Sequence, residues 1–128
     1  MTRVLIIDDD EINNFTLEAM LERNAHVDSF EIQEGGMSAL NYLEQAEADS
    51  DFPDLIFVDI NMPEMDGYGF LDQYQSRYHG KHDSTRIYML SSSISELDKD
   101  RSLAYDCVSE YITKPLSRTK LEELIEES

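Results

Sequence analysis

Three short apolar runs constrain this chain more than anything else in it: Val4-Leu5-Ile6-Ile7, Leu55-Ile56-Phe57-Val58 and Ile87-Tyr88-Met89-Leu90. None alternates with polar residues, so each asks to be covered on both faces, as strands inside a parallel sheet are. All are far too short to cross a bilayer. The stretch from Val27 to Ile32 is broken by Asp28, Ser29 and Glu31 and fits an edge strand. Tyr111-Ile112-Thr113 reads as a short fifth strand that stops before Pro115.

Between these runs the spacing turns helical. Ile12, Phe15, Ala19 and Met20 share a face of the first predicted helix, and Ala39, Leu40, Leu43 and Ala46 a face of the second. Gly67, Phe70, Leu71, Tyr74 and Tyr78 line the third, while Leu97, Arg101, Ala104 and Val108 give the fourth only a weak stripe. Leu121, Leu124 and Ile125 make a short fifth helix, and the segment from Tyr78 to Arg86 reads as a surface loop. Alternating strands and helices with short linkers predict a doubly wound α/β fold, and no repeat or low-complexity tract divides residues 1–128 into more than one domain.

In such folds, ligands bind beyond the carboxyl ends of the strands. Asp8, Asp9, Asp10 and Glu11 follow the first run, Asp59, Ile60 and Asn61 the third, Ser91, Ser92 and Ser93 the fourth, and Lys114 the fifth. Taken singly, each has a plain reading. Asp10 or Glu11 can cap the first helix, Ser95 the fourth, and Lys114-Pro115 can be an ordinary turn. Gathered on one sheet edge, they make a more specific constellation. Crowded carboxylates repel one another and either protonate or share a cation. Magnesium suits such a cluster, being a hard ion held by one or two carboxylates together with water and phosphate oxygens. Asp59, last along a central strand, is placed to act as a carboxylate nucleophile, with Lys114 and Ser91 able to meet phosphoryl oxygens.

Composition excludes several other roles. With 28 acidic and 10 basic side chains, a formal net charge of −18, the surface repels phosphate backbones, so direct nucleic-acid binding is not expected. Met-Thr-Arg runs straight into a strand-like segment without a secretory signal, so a cytoplasmic location and no membrane insertion are expected. The single cysteine, Cys107, reads as a small core filler. His79 and His82, alone on a loop, make a poor metal site.

The segments Val4-Leu5-Ile6-Ile7-Asp8-Asp9, Leu55 to Gly67, Met89-Leu90-Ser91 and Tyr111-Ile112-Thr113-Lys114-Pro115 together resemble the receiver domains of bacterial two-component response regulators, over essentially the whole chain. The expected fold is accordingly a five-stranded parallel sheet in the flavodoxin-like order 2-1-3-4-5 with five helices. The resemblance implies a phosphorylation-activated switch rather than an enzyme in the ordinary sense, one that catalyses only its own phosphorylation and dephosphorylation. Asp59 would accept a phosphoryl group from a phosphohistidine on a sensor histidine kinase or histidine phosphotransfer protein. Magnesium would be bound by Asp9, Asp59 and the backbone carbonyl of Asn61, with Asp8 acting largely through water. Lys114 would pair with the phosphoryl group across a cis Lys114–Pro115 bond. Ser91 and Tyr111 would switch together, reshaping the face of helix four, strand five and helix five for a downstream protein partner, while Asn61 and Ser93 would tune hydrolysis. Serine at position 91, where threonine is commoner, keeps the hydroxyl and loses a methyl.

Other readings fit less well. A flavin carrier of this fold type needs a hydroxyl- and glycine-rich phosphate loop after strand one, where this chain has Asp8, Asp9 and Asp10. A phosphatase with an aspartyl nucleophile wants a carboxylate where Asn61 stands. A phosphorylation-independent adaptor of the same fold is the remaining alternative. The chain stops just after the fifth helix, at Ser128, so its output would be a binding event, unless it is the N-terminal fragment of a larger regulator.

Overall fold

The computed structural model describes residues 1–128 as one sheet flanked by helices. In chain order the elements are β1 (Thr2–Ile7), α1 (Glu11–Glu22), β2 (Val27–Gln33), α2 (Gly36–Ala48), β3 (Leu55–Val58), α3 (Gly67–Tyr78), β4 (Arg86–Ser91), α4 (Glu96–Leu103), β5 (Val108–Thr113) and α5 (Arg118–Glu126). All strand pairs are parallel and the order is β2-β1-β3-β4-β5, as expected.

The unbroken apolar runs are covered on both faces because successive side chains point to opposite sides. Leu5, Ile7, Ile56, Val58, Ile87 and Met89 pack with α2 and α3, while Val4, Ile6, Leu55, Phe57, Tyr88 and Leu90 pack with α1 and α5. No residue of α4 belongs to either core cluster. The expected stripes of α2, α3 and α5 are all buried.

Three expectations are corrected. In α1 the buried face is Asn14, Leu17 and Leu21, whereas Ile12 and Phe15 are 80% and 73% exposed. The inward position of the first turn of α1 is taken by Asn14, which is buried and whose Nδ2 donates to the Asp8 carbonyl at 2.9 Å. In α4 only Ser102 is buried, and Leu97 points outward. The helix ends at Leu103, so Val108 belongs to β5, which starts three residues earlier than its apolar core suggests. The loop 79–85 lies at the surface, as expected, and is anchored there. His82 stacks on Phe52 at 3.6 Å between centroids and contacts Glu47 through Nε2 at 2.8 Å, while Thr85 Oγ1 donates to the Pro53 carbonyl.

Candidate functional site

The site forms where β1, β3, β4 and β5 end together. Parallel register places Ile7 beside Val58, Val58 beside Met89 and Ser91 beside Thr113. The residues that follow therefore emerge on one edge. The N–H of Asp59 continues the ladder onto the Ile7 carbonyl at 2.9 Å, and that of Lys114 onto the Ser91 carbonyl at 2.8 Å. Both side chains are held by the sheet, not by a loose loop.

Asp8, Asp9 and Asp59 bring one carboxylate oxygen each to within 4.8 Å of one another. Asp8 is only 2% exposed and fully engaged. Its Oδ1 accepts the Asp10 N–H at 2.9 Å, and its Oδ2 accepts Asn13 Nδ2 at 3.0 Å and lies 2.7 Å from Lys114 Nζ. The same ammonium lies 3.6 Å from Asp10 and 3.8 Å from Asp59. Asp59, 7% exposed, uses Oδ1 to accept the N–H of Ile60 at 2.9 Å, and Asp9 is exposed. Asp10 is the N-cap of α1, as anticipated, with Oδ1 accepting from Ile12 and Asn13.

The electrostatics are unequal. Burial, helped by the neighbouring Asp8 charge and only partly offset by Lys114, raises the Asp59 carboxyl to about 6. Burial alone would lower Lys114, but its hydrogen bond to Asp8 and the charges of Asp8, Asp59 and Asp10 outweigh that and raise it. Asp10 is lowered, chiefly by the Asn13 N–H. A divalent cation fits this donor set. The set consists of hard oxygen ligands converging from two strands, and one of its carboxyls is under repulsion that a positive ion would relieve.

Backbone packing also fixes the site from below. Gly67 opens α3 against the chain that carries Asp59, and its N–H donates to the Ile60 carbonyl at 2.8 Å. A Cβ there would run into the Asp59 carbonyl oxygen and come within 2.9 Å of Ile60 Cα. Asn61 follows, exposed, next to the buried Met62, and the Lys114–Pro115 bond is cis.

Ser91 closes β4 fully buried, its Oγ accepting the N–H of Ser93 at 3.2 Å. The Tyr111 hydroxyl donates to the Ser93 carbonyl at 2.7 Å, so Ser91, Ser93 and Tyr111 form one connected group beside the carboxylates. Ser95 occupies the N-cap position of α4 but makes no capping bond, and its N–H goes to Ser93 Oγ at 3.2 Å. Sequence reasoning did not single out Asn13, Asn14, Tyr68 or Asp98. Two adjacent asparagines just inside a helix start were a signal for the first pair, because asparagine there serves neighbouring backbone and carboxylates better than it serves helix propensity.

A family model for the response regulator receiver domain matches residues 4–126. The rice two-component response regulator ORR41 (Oryza sativa subsp. japonica) is 31% identical over 94% of this chain and 89% of its own length. Hybrid signal transduction histidine kinase L of Dictyostelium discoideum is 31% identical over 96% of this chain, which spans only 7% of that protein. A crystal structure of a two-component response regulator from Cytophaga hutchinsonii superposes with a TM-score of 0.89 at 30% identity, covering 98% of this chain and 94% of the other.

Proposed function

Because the chain belongs to the response regulator receiver domain family, we propose that it is a phosphorylation-activated switch of a two-component system with Asp59 as the phosphoacceptor. One observation carries this reading. Asp59 directly follows the central strand β3 within reach of two further carboxylates and one partly buried ammonium, and nothing else in the molecule gathers such groups.

In the step proposed, a carboxylate oxygen of Asp59 attacks phosphorus, and the bond to the donor histidine nitrogen breaks. The electron pair leaves with the imidazole, which takes up a proton from solvent. The donor is a phosphohistidine on a sensor kinase or histidine phosphotransfer protein. Bound Mg2+ would neutralise charge on the phosphoryl oxygens. Asp9, Asp59 and the Asn61 carbonyl would hold it directly. Asp8, already committed to Asp10, Asn13 and Lys114, suits a role through water. Lys114 would follow a phosphoryl oxygen, and Ser91 would turn to another. Tyr111 moves with them, and the face of α4, β5 and α5 changes for a downstream protein. Asn61 and Ser93 tune hydrolysis of the phosphoryl group. The domain acts on its own phosphoryl group and on no other substrate.

The test is acetyl phosphate with and without Mg2+, followed by intact mass, with Asp59→Asn as control. A single Mg2+-dependent phosphoryl adduct, absent from the control, is expected. No adduct in folded protein would sink the acceptor assignment for small donors and favour a phosphorylation-independent adaptor.

A further inference from the structure

Ser91 is tied to α4 and α3 by a run of polar contacts that phosphoryl transfer itself does not require. Ser93, whose N–H is held by Ser91 Oγ, donates its own hydroxyl to Asp98 Oδ2 at 2.7 Å. The other carboxylate oxygen of Asp98 accepts from the Tyr68 hydroxyl at 2.9 Å, and that hydroxyl also approaches the Asp98 carbonyl at 3.2 Å. Asp98 thus bridges the turn after β4 to the first turn of α3.

A carboxylate in the first turn of a helix is ordinarily read as a partner of the helix dipole. Here both oxygens of Asp98 go to side-chain hydroxyls, and those two hydroxyls hold its carboxyl below the usual range. α4 also packs against β5, but it buries little of itself. Its one buried side chain is Ser102, whose Oγ has no partner, and Leu97 is 81% exposed. Tyr68 gathers further contacts, with Arg101 3.8 Å over its ring and Tyr105, just beyond α4, stacked on it at 6.3 Å.

We propose that Asp98, clasped by Tyr68 and Ser93, is a positioning residue that stabilises the resting placement of Ser91 and α4 and so opposes phosphorylation. The inference rests on the reading of Asp59 as acceptor and Ser91 as the hydroxyl drawn to the phosphoryl group. If Ser91 Oγ moves there, the Ser93 N–H loses its acceptor. Ser93 is then free to leave Asp98, and Tyr68 is left as the only hydroxyl on that carboxylate. Linkage makes the effect reciprocal: whatever opens the clasp must tighten binding of a phosphoryl group by the same factor.

Beryllofluoride, a phosphoryl mimic, is titrated by calorimetry in Mg2+ into wild type, Tyr68→Phe and Asp98→Ala. Mg2+ alone is titrated in parallel, and folding is checked by circular dichroism. Tyr68→Phe keeps the ring under Arg101 and deletes only the hydroxyl. Glu96→Ala removes another first-turn carboxylate of α4 outside the clasp. The expected result is beryllofluoride binding tightened roughly fivefold or more in both clasp variants, with Mg2+ affinity unchanged and Glu96→Ala like wild type. A merely structural role would lower melting temperature without moving that ratio. Wild-type binding with no tightening in folded variants overturns the clasp and leaves the acceptor reading intact. No beryllofluoride binding and no acetyl phosphate adduct in folded wild type overturns both.

Discussion

Replacing Asp59 with asparagine should stabilise the metal-free protein, although it deletes the residue on which the proposed function turns. The carboxyl ordinarily titrates at 3.8 and is raised to about 6 in the fold, burial being the largest cause and Asp8 the next. The folded state therefore holds the proton more tightly than the unfolded chain across that interval, and stability falls as pH rises through it. Roughly two pH units at about 1.4 kcal/mol each come to about 3 kcal/mol of destabilisation above pH 7, shrinking to about 1 kcal/mol near pH 4.5. Asparagine keeps the shape without the charge. For 128 residues, an unfolding entropy of about 2.1 cal/mol/K per residue turns 3 kcal/mol into a Tm rise of about 10 °C.

The assay is thermal unfolding of both proteins in chelator at pH 4.5, 6.0 and 7.5. The gap in favour of Asp59→Asn should widen with pH, then narrow when millimolar Mg2+ is added, because a cation that binds the wild-type cluster more tightly stabilises it selectively. A gap that is absent at pH 7.5, or equal at all three pH values, would refute the claim that Asp59 is the strained charge of the cluster.

Other substitutions test the surroundings. Gly67→Ala should cost about 1–3 kcal/mol in a denaturant melt and slow acetyl phosphate labelling, since its Cβ must push on the Asp59 and Ile60 backbone; an unchanged midpoint would contradict that close packing. Lys114→Met should destabilise the metal-free protein at pH 7.5 by on the order of 3 kcal/mol, by leaving buried Asp8 without its cation. The same substitution should make the pH dependence steeper unless Asp59→Asn is also present. Phe15→Ser should leave the urea midpoint nearly unmoved, within about 0.5 kcal/mol, whereas Leu17→Ala should cost about 2–5 kcal/mol; equal effects would mean that the outward face of α1 has been misassigned.

How far such a site can be read from residues alone differs from element to element. The runs in β1, β3 and β4 were legible because burial on both faces leaves no room for polar residues, and the polar residues just beyond them had to fall together once the strands ran parallel. β5 was read short because Ser109 and Glu110 lie toward solvent at the sheet edge and hide its first half. In α1 two stripes competed. Ile12, Phe15 and Ala19 are spaced like Asn14, Leu17 and Leu21, and the more apolar pair at the helix start lost because Asn14 is needed beneath Asp8. Hydrogen bonding across elements has no periodicity, so Tyr68 and Asp98 left no trace in the pattern. The four-membered constellation of Asp8, Asp9, Asp59 and Lys114 was nevertheless found, since each member had only to sit at a strand end.

On the proposed reading, charge couples the clasp to the carboxylates. With Asp8, Asp9 and Asp59 ionised against Lys114, three negative charges face one positive and the cluster stands at −2. A phosphoryl group bringing roughly two more would be repelled, so a divalent cation has to be present when the donor arrives. Phosphorylating Asp59 would remove one carboxylate charge as the phosphoryl adds about two, and with the cation bound the site would end near −1. That residual charge draws on the donors still uncommitted. Lys114 is already shared among carboxylates, whereas the Ser91 hydroxyl donates in no hydrogen bond of the resting structure. On this reading the phosphoryl group and Ser93 compete for one hydroxyl, and the strength of the Asp98 clasp behind Ser93 sets what fraction of phosphorylated molecules releases α4.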